Sequence, residues 1–132
     1  MAASGKKVLI VDDEPDVHVF VRTALEDEGY QILSASDGEA ALRVARAEKP
    51  DLVILDVQMP GKSGFDVFDE LRKSEATGSI PVIMLTAVSQ RTGLRFSAED
   101  MGELYTNEPE AFIDKPVDPD TLRETVARLL GR

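Results

Sequence analysis

The sequence predicts an α/β protein, a doubly wound five-stranded parallel sheet with helices on both faces. Three observations predict it. Short apolar runs recur along the chain, notably Val8-Leu9-Ile10-Val11, Leu52-Val53-Ile54-Leu55 and Val82-Ile83-Met84-Leu85. Continuous runs of this length read as strands buried on both faces. Helical periodicities with their own start signals lie between the runs, and such alternation builds right-handed βαβ units. Finally, the runs end alike: Asp12-Asp13, Asp56 and Thr86 follow these three, and Asp114-Lys115 follows Ala111-Phe112-Ile113. A charge has no place inside a dry sheet, so Asp56 is expected just past its strand's carboxyl end. In open parallel sheets that edge binds ligands.

After the first strand, Pro15-Asp16 opens a helix, since proline suits the first turn and an acid there complements the dipole. Val17, Phe20, Val21, Ala24 and Leu25 recur at helical spacing, and Gly29 offers a left-handed stop. His18 is expected as an exposed helix residue. Tyr30 to Ala35 reads as the second strand. Asp37 caps a helix that runs to about Glu48, with Ala41, Leu42 and Ala45 inward and Pro50 closing it. After the Asp56 strand and the Met59–Gly64 loop, Ser63 or Gly64 opens a third helix carrying Phe65, Phe68 and Leu71. Thr77-Gly78-Ser79 is a turn, and Pro81 starts the fourth strand. Asp118-Pro119 is a cap followed by proline at N1, and Leu122, Thr125, Val126 and Leu129 form the inner face of the last helix, which stops at Gly131. Gly93, Gly102 and Asn107-Glu108-Pro109 interrupt the stretch from Ser89 to Glu110, where a short helix is expected around Ser97–Leu104.

The totals restrict function. A chain of 132 residues supports one domain without staples. It has no cysteine, so disulfides and thiolate metal sites are excluded, which fits a cytoplasmic protein. No apolar run approaches the roughly 20 residues of a membrane span, and the first residues lack a signal peptide's apolar region. A net charge of −10 argues against direct nucleic-acid binding, which needs a basic surface.

Part of that negative charge converges at the rim. Carboxylates about 5 Å apart, at an effective dielectric near 20, repel by roughly 3 kcal/mol per pair. The cluster Asp12, Asp13 and Asp56 should therefore take up a proton or a cation. Hard oxygen ligands without His or Cys point to Mg²⁺, with Mn²⁺ or Ca²⁺ as alternatives. Lys115 and Thr86 supply a positive charge and a hydroxyl donor suited to a phosphoryl group. A carboxylate can be the nucleophile and form an aspartyl-phosphate, and Asp56 is the most central candidate.

These residues resemble the receiver domain of two-component response regulators (the CheY-like, flavodoxin-like receiver fold) over nearly the full chain. The resemblance rests on Asp12-Asp13, on Asp56 followed by Met59-Pro60 and Gly64, on Thr86-Ala87, and on Phe112 three residues before Lys115-Pro116. It implies a single receiver domain over 1–132 with its core at about 6–131. Asp56 would be the phospho-acceptor, charged by a histidine kinase or histidine phosphotransfer protein. Asp13, Asp12 largely through water, Asp56 and the backbone carbonyl of Gln58 would hold Mg²⁺. Lys115 would bind a phosphoryl oxygen, and its bond to Pro116 would be cis. Thr86 would swing toward the phosphate and Phe112 would turn inward behind it. That would reshape the surface of the fourth helix, fifth strand and last helix for a downstream effector protein. No output domain is expected after the last helix, and the start at Met1 leans toward an N-terminal or complete protein.

Two features depart from the family pattern. The Thr86–Lys115 interval looks about two helical turns longer than usual, which puts the extra length in 89–110, and it lacks the Gly-Ala pair ahead of the fifth strand. Gln58 and Val88 hold the positions flanking the site; Val88 cannot hydrogen-bond an attacking water, so a long-lived phosphate is expected. The chain is not expected to be an enzyme in its own right. Two other functions compete with this reading. An aspartyl-nucleophile phosphohydrolase would carry an acid two residues after the nucleophile, where Gln58 stands and cannot transfer a proton. A phosphorylation-independent interaction module would keep its partner when Asp56 is replaced by Asn.

Overall fold

In a computed structural model of the chain, the described residues are 6–57, 59, 63–86, 110–115 and 117–130. The strands are β1 (Lys7–Val11), β2 (Gln31–Ala35), β3 (Leu52–Asp56), β4 (Val82–Thr86) and β5 (Ala111–Asp114). The helices are α1 (Pro15–Leu25), α2 (Gly38–Glu48), α3 (Gly64–Lys73) and α4 (Pro119–Leu129). The five strands form one sheet in the order β2-β1-β3-β4-β5, every pair parallel. The fold is the expected doubly wound, flavodoxin-like receiver fold.

Period-two alternation along each strand divides the core. Leu9, Val11, Val53, Leu55, Val82 and Met84 face α2 and α3, where Ala41, Leu42, Ala45, Val67, Phe68 and Leu71 cover them. Val8, Ile10, Leu52, Ile54, Ile83 and Leu85 face α1 and α4, beneath Val21, Leu25, Leu122 and Val126. Every residue of β3 and β4 is buried, which is why those runs are apolar without alternation. Phe20 lies at the margin of the inward stripe of α1 and is 37% exposed.

The helix starts match the sequence. Ser63 Oγ accepts from Asp66 N at 3.2 Å, Asp37 caps Ala40 N at 2.8 Å, and Asp118 caps Thr121 N at 2.8 Å ahead of Pro119. Two stops differ. A 3₁₀ turn, Glu26–Glu28, prolongs α1 before Gly29 reverses the chain at φ 83°. Not Pro50 but Lys49 ends α2, with a left-handed φ of 48° and its N–H bonded to Ala45 O at 2.9 Å. That bond satisfies a terminal carbonyl at the cost of a conformation side chains disfavour.

At the amino edge of the sheet, Arg72 Nη1 donates to Ile80 O at 2.5 Å and Nη2 to Glu110 Oε1 at 2.6 Å. The same Glu110 oxygen accepts Val82 N at 2.7 Å. One arginine thus ties α3 and β4 to the start of β5. The segment 89–109, Gln58, Val88, Pro116 and Gly131 lie outside the described residues, and so do the expectations placed on them. Among the described residues no helix is long and apolar enough to cross a membrane.

Candidate functional site

Strand order positions the site. The chain winds outward in both directions from β1 and β3, so their carboxyl ends lie side by side where the connections diverge. Val11 pairs with Leu55 and Asp56 with Leu85. Asp12 and Asp13 therefore leave β1 beside the end of β3. One carboxylate oxygen from each of Asp12, Asp13 and Asp56 lies within 4.8 Å of the other two.

Their burial is unequal. Asp13 is exposed, whereas Asp12 is 0% and Asp56 3% exposed. Asp56 is the last residue of β3, not the first beyond it. What makes a buried acid tolerable there is Lys115, which lies at the centre of the rim. Its Nζ is 3.1 Å from Asp56 Oδ1, 3.3 Å from Asp12 Oδ2 and 3.5 Å from Glu14 Oε1. Lys115 N also donates to Thr86 O at 2.6 Å, which locks the end of β5 onto β4.

One ammonium does not neutralise the cluster. Burial, and then the charge of Asp12, push the Asp56 carboxyl up to about 6, against the opposing pull of Lys115. Burial also raises Asp12, although Glu14 N–H and Lys115 work to lower it. For Lys115 burial alone would lower the pKa, but its hydrogen bond to Asp56 and the charges of Asp56 and Asp12 hold it above the ordinary lysine range. Carboxylates that resist ionisation this way gain when a cation arrives. Three oxygen donors within one ion's reach suit a hard divalent cation, so the residues present fit Mg²⁺.

Thr86 ends β4, buried, and its Oγ1 donates to Asp114 Oδ1 at 3.1 Å. Asp114 was legible in the sequence only as Lys115's neighbour. Phe112 on the edge strand β5 is 40% exposed. Gly64, the first residue of α3, donates its N–H to Val57 O at 2.8 Å. A β-carbon there would collide with the carbonyl oxygen of Asp56 and lie 2.8 Å from Val57 Cα, so glycine alone lets α3 start this close to the end of β3. His18 is not the exposed residue expected: it is half-buried, and its Nε2 lies 2.6 Å from Asp12 O. No local pattern in the sequence could have indicated that bond.

A twisted parallel sheet with three acids and a lysine at its central crevice defines a receiver-type acidic site. The chain belongs to the response regulator receiver domain family, which matches residues 8–127. It is similar to protein PilH of Pseudomonas aeruginosa, 38% identical over 129 residues that cover 95% of this chain and 98% of that protein. It is 36% identical to the alkaline phosphatase synthesis transcriptional regulatory protein PhoP of Bacillus subtilis, over 97% of this chain and 50% of PhoP. The chain likewise spans about half the length of the other transcriptional regulators it matches. Among solved structures it resembles the receiver domain of the sensor histidine kinase PA1611 from Pseudomonas aeruginosa PAO1, which has a magnesium ion in its active-site cleft. The TM-score is 0.83 at 25% identity, covering 98% of this chain and 100% of that one.

Proposed function

We propose that the chain is a single phospho-accepting receiver domain, with its core at about 6–131. In this reading a histidine kinase or histidine phosphotransfer protein in the cytoplasm charges Asp56, and a downstream effector protein reads the change. The observation that carries the reading is the place of Asp56: buried at the central crevice, next to two further carboxylates, with an ammonium 3.1 Å away.

The chemistry follows from these groups. A carboxylate oxygen of Asp56 bonds to phosphorus as the donor's P–N bond breaks, and the electron pair leaves on the imidazole nitrogen, which takes a proton. Lys115 needs only a small movement from Asp56 to reach a phosphoryl oxygen. Asp12, Asp13, Asp56 and the backbone carbonyl of Gln58 would hold Mg²⁺, which when bound neutralises the crowded carboxylate and phosphoryl oxygens. Thr86 exchanges Asp114 for a phosphoryl oxygen, and the half-exposed Phe112 turns inward behind it. Local charge thus biases a two-state surface. The donor protein seats on the largely apolar groove beside the crevice, lined by Val17, Phe20 and Val117 with Asp16 and Lys115. The net charge of −10 favours a protein partner over nucleic acid.

The test is intact-mass spectrometry after incubation with phosphoramidate, with and without Mg²⁺, and with Asp56→Asn in parallel. One Mg²⁺-dependent adduct on the wild type alone is expected. Turnover without an accumulating adduct would favour a phosphohydrolase. No adduct, even with a partner kinase, and no Mg²⁺ binding would favour the phosphorylation-independent module.

A further inference from the structure

We infer that His18 is a positioning residue for the cation-binding carboxylates, acting through the backbone carbonyl of Asp12. The inference rests on the reading of the acidic cluster as a divalent-cation site.

Each polar atom of Asp12 is held from a different direction. Its N–H donates to Ala35 O at 3.2 Å on β2. Its Oδ1 accepts Glu14 N at 2.9 Å, and its Oδ2 faces Lys115 Nζ at 3.3 Å. The remaining atom, the carbonyl oxygen, lies 2.6 Å from His18 Nε2. A carbonyl oxygen can only accept, so Nε2 carries the proton. The other ring nitrogen, Nδ1, is buried and has no hydrogen-bond partner among the described residues. Among the described residues the ring's polar attachment is therefore this one bond, made from the first turn of α1 back onto the loop that α1 follows.

That carbonyl belongs to the peptide plane joining Asp12 to Asp13. Fixing the plane fixes the direction in which Asp13 leaves, and with it the aim of two of the three carboxylates. Without His18 the carbonyl, on a residue of 0% exposure, loses its partner, and the plane is free to rotate toward another. The effect should depend on the ion. Mg²⁺ demands near-ideal octahedral geometry at about 2.0–2.1 Å, whereas Ca²⁺ tolerates irregular shells at about 2.3–2.6 Å. Misaimed carboxylates should penalise Mg²⁺ far more than Ca²⁺.

The experiment is calorimetric titration of the full chain with Mg²⁺ and with Ca²⁺, for wild type, His18→Ala and His18→Gln. His18→Ala should weaken Mg²⁺ by about tenfold, the usual scale for an outer partner of a ligand, and Ca²⁺ by clearly less. His18→Gln, whose amide N–H can reach the same carbonyl, should recover most of the Mg²⁺ affinity. Unchanged Mg²⁺ affinity in His18→Ala would overturn the inference while leaving the cation site intact. Equal losses for both ions, or no recovery with Gln in a folded protein, would reduce His18 to a stabilising contact and overturn it as well. A wild type that binds neither ion would remove the cation site itself, and the inference with it.

Discussion

Replacing Asp56 by Asn should make the metal-free protein more stable. The folded protein raises this carboxyl from 3.8 to about 6, chiefly by burial and then by the charge of Asp12. The attraction of Lys115 is already included, since it opposes that rise. At about 1.4 kcal/mol per pH unit, the ionised form is disfavoured by about 3 kcal/mol. Because the folded state binds this proton more tightly than the unfolded chain, the penalty is absent below about pH 4 and complete above about pH 6 to 7. Wild type should lose stability across that window relative to Asp56→Asn, which has no charge to gain there. At pH 7.5 in a chelator, the variant should be more stable by about 2–3 kcal/mol, or on the order of 10 °C in Tm. Saturating Mg²⁺ should stabilise wild type more than the variant and close the gap. Urea unfolding followed by circular dichroism at pH 4.0 and 7.5, with and without Mg²⁺, measures all four conditions. A variant no more stable than wild type at pH 7.5 without metal, or an advantage that persists undiminished at pH 4.0, would refute the electrostatic reasoning.

Other perturbations test other parts of the site. Lys115→Met leaves two buried carboxylates without their counter-charge, and should cost about 2 kcal/mol at pH 7.5 in chelator, a loss that shrinks in an Asp56→Asn background. Chemical denaturation of the single and double variants measures that coupling. Gly64→Ala forces a β-carbon against the Asp56 carbonyl, so it should lower stability by about 2 kcal/mol or more and weaken Mg²⁺ binding, as thermal melts with and without Mg²⁺ would record. Phe20→Ser should slow phosphoryl transfer from a partner kinase by about tenfold while leaving uptake from phosphoramidate unchanged, because in the proposed reading Phe20 serves docking and not the reacting groups. Parallel time courses with the two donors separate these effects.

Much of this architecture was legible because the information is local. Buried strands are written as apolar runs, and the groups that end them are the site: Asp12 and Asp13 after β1, Asp56 in β3, Thr86 in β4, Lys115 after β5. The caps Asp37, Ser63 and Asp118 are local too. Part of what escaped depends on contacts between distant segments, and part on local bonds that no residue pattern announces. Asp56 lies buried inside its strand with Lys115, far along the sequence, 3.1 Å away and offsetting part of the cost of burial. The bond from His18 to Asp12 and the Arg72–Glu110 tie leave no periodicity to read. The stop of α2 at Lys49 was hidden because left-handed backbone normally announces itself with Gly or Asn. Phe20 illustrates the converse: helical spacing placed it with the inward residues, but the stripe is narrower than the pattern, and its exposure makes it a candidate contact for a partner.

In the proposed mechanism Asp56 alone carries the phosphoryl group. Reducing the phosphorylated protein with borohydride converts an acyl phosphate to an alcohol, turning the phosphorylated aspartate into homoserine, which tandem mass spectrometry of peptides can place. Homoserine at Asp56 alone, dependent on Mg²⁺ and sharply reduced in Lys115→Met, is the predicted result. Homoserine at Asp12 or Asp13 in wild type, or at no aspartate in a protein that has gained phosphate, would contradict the account.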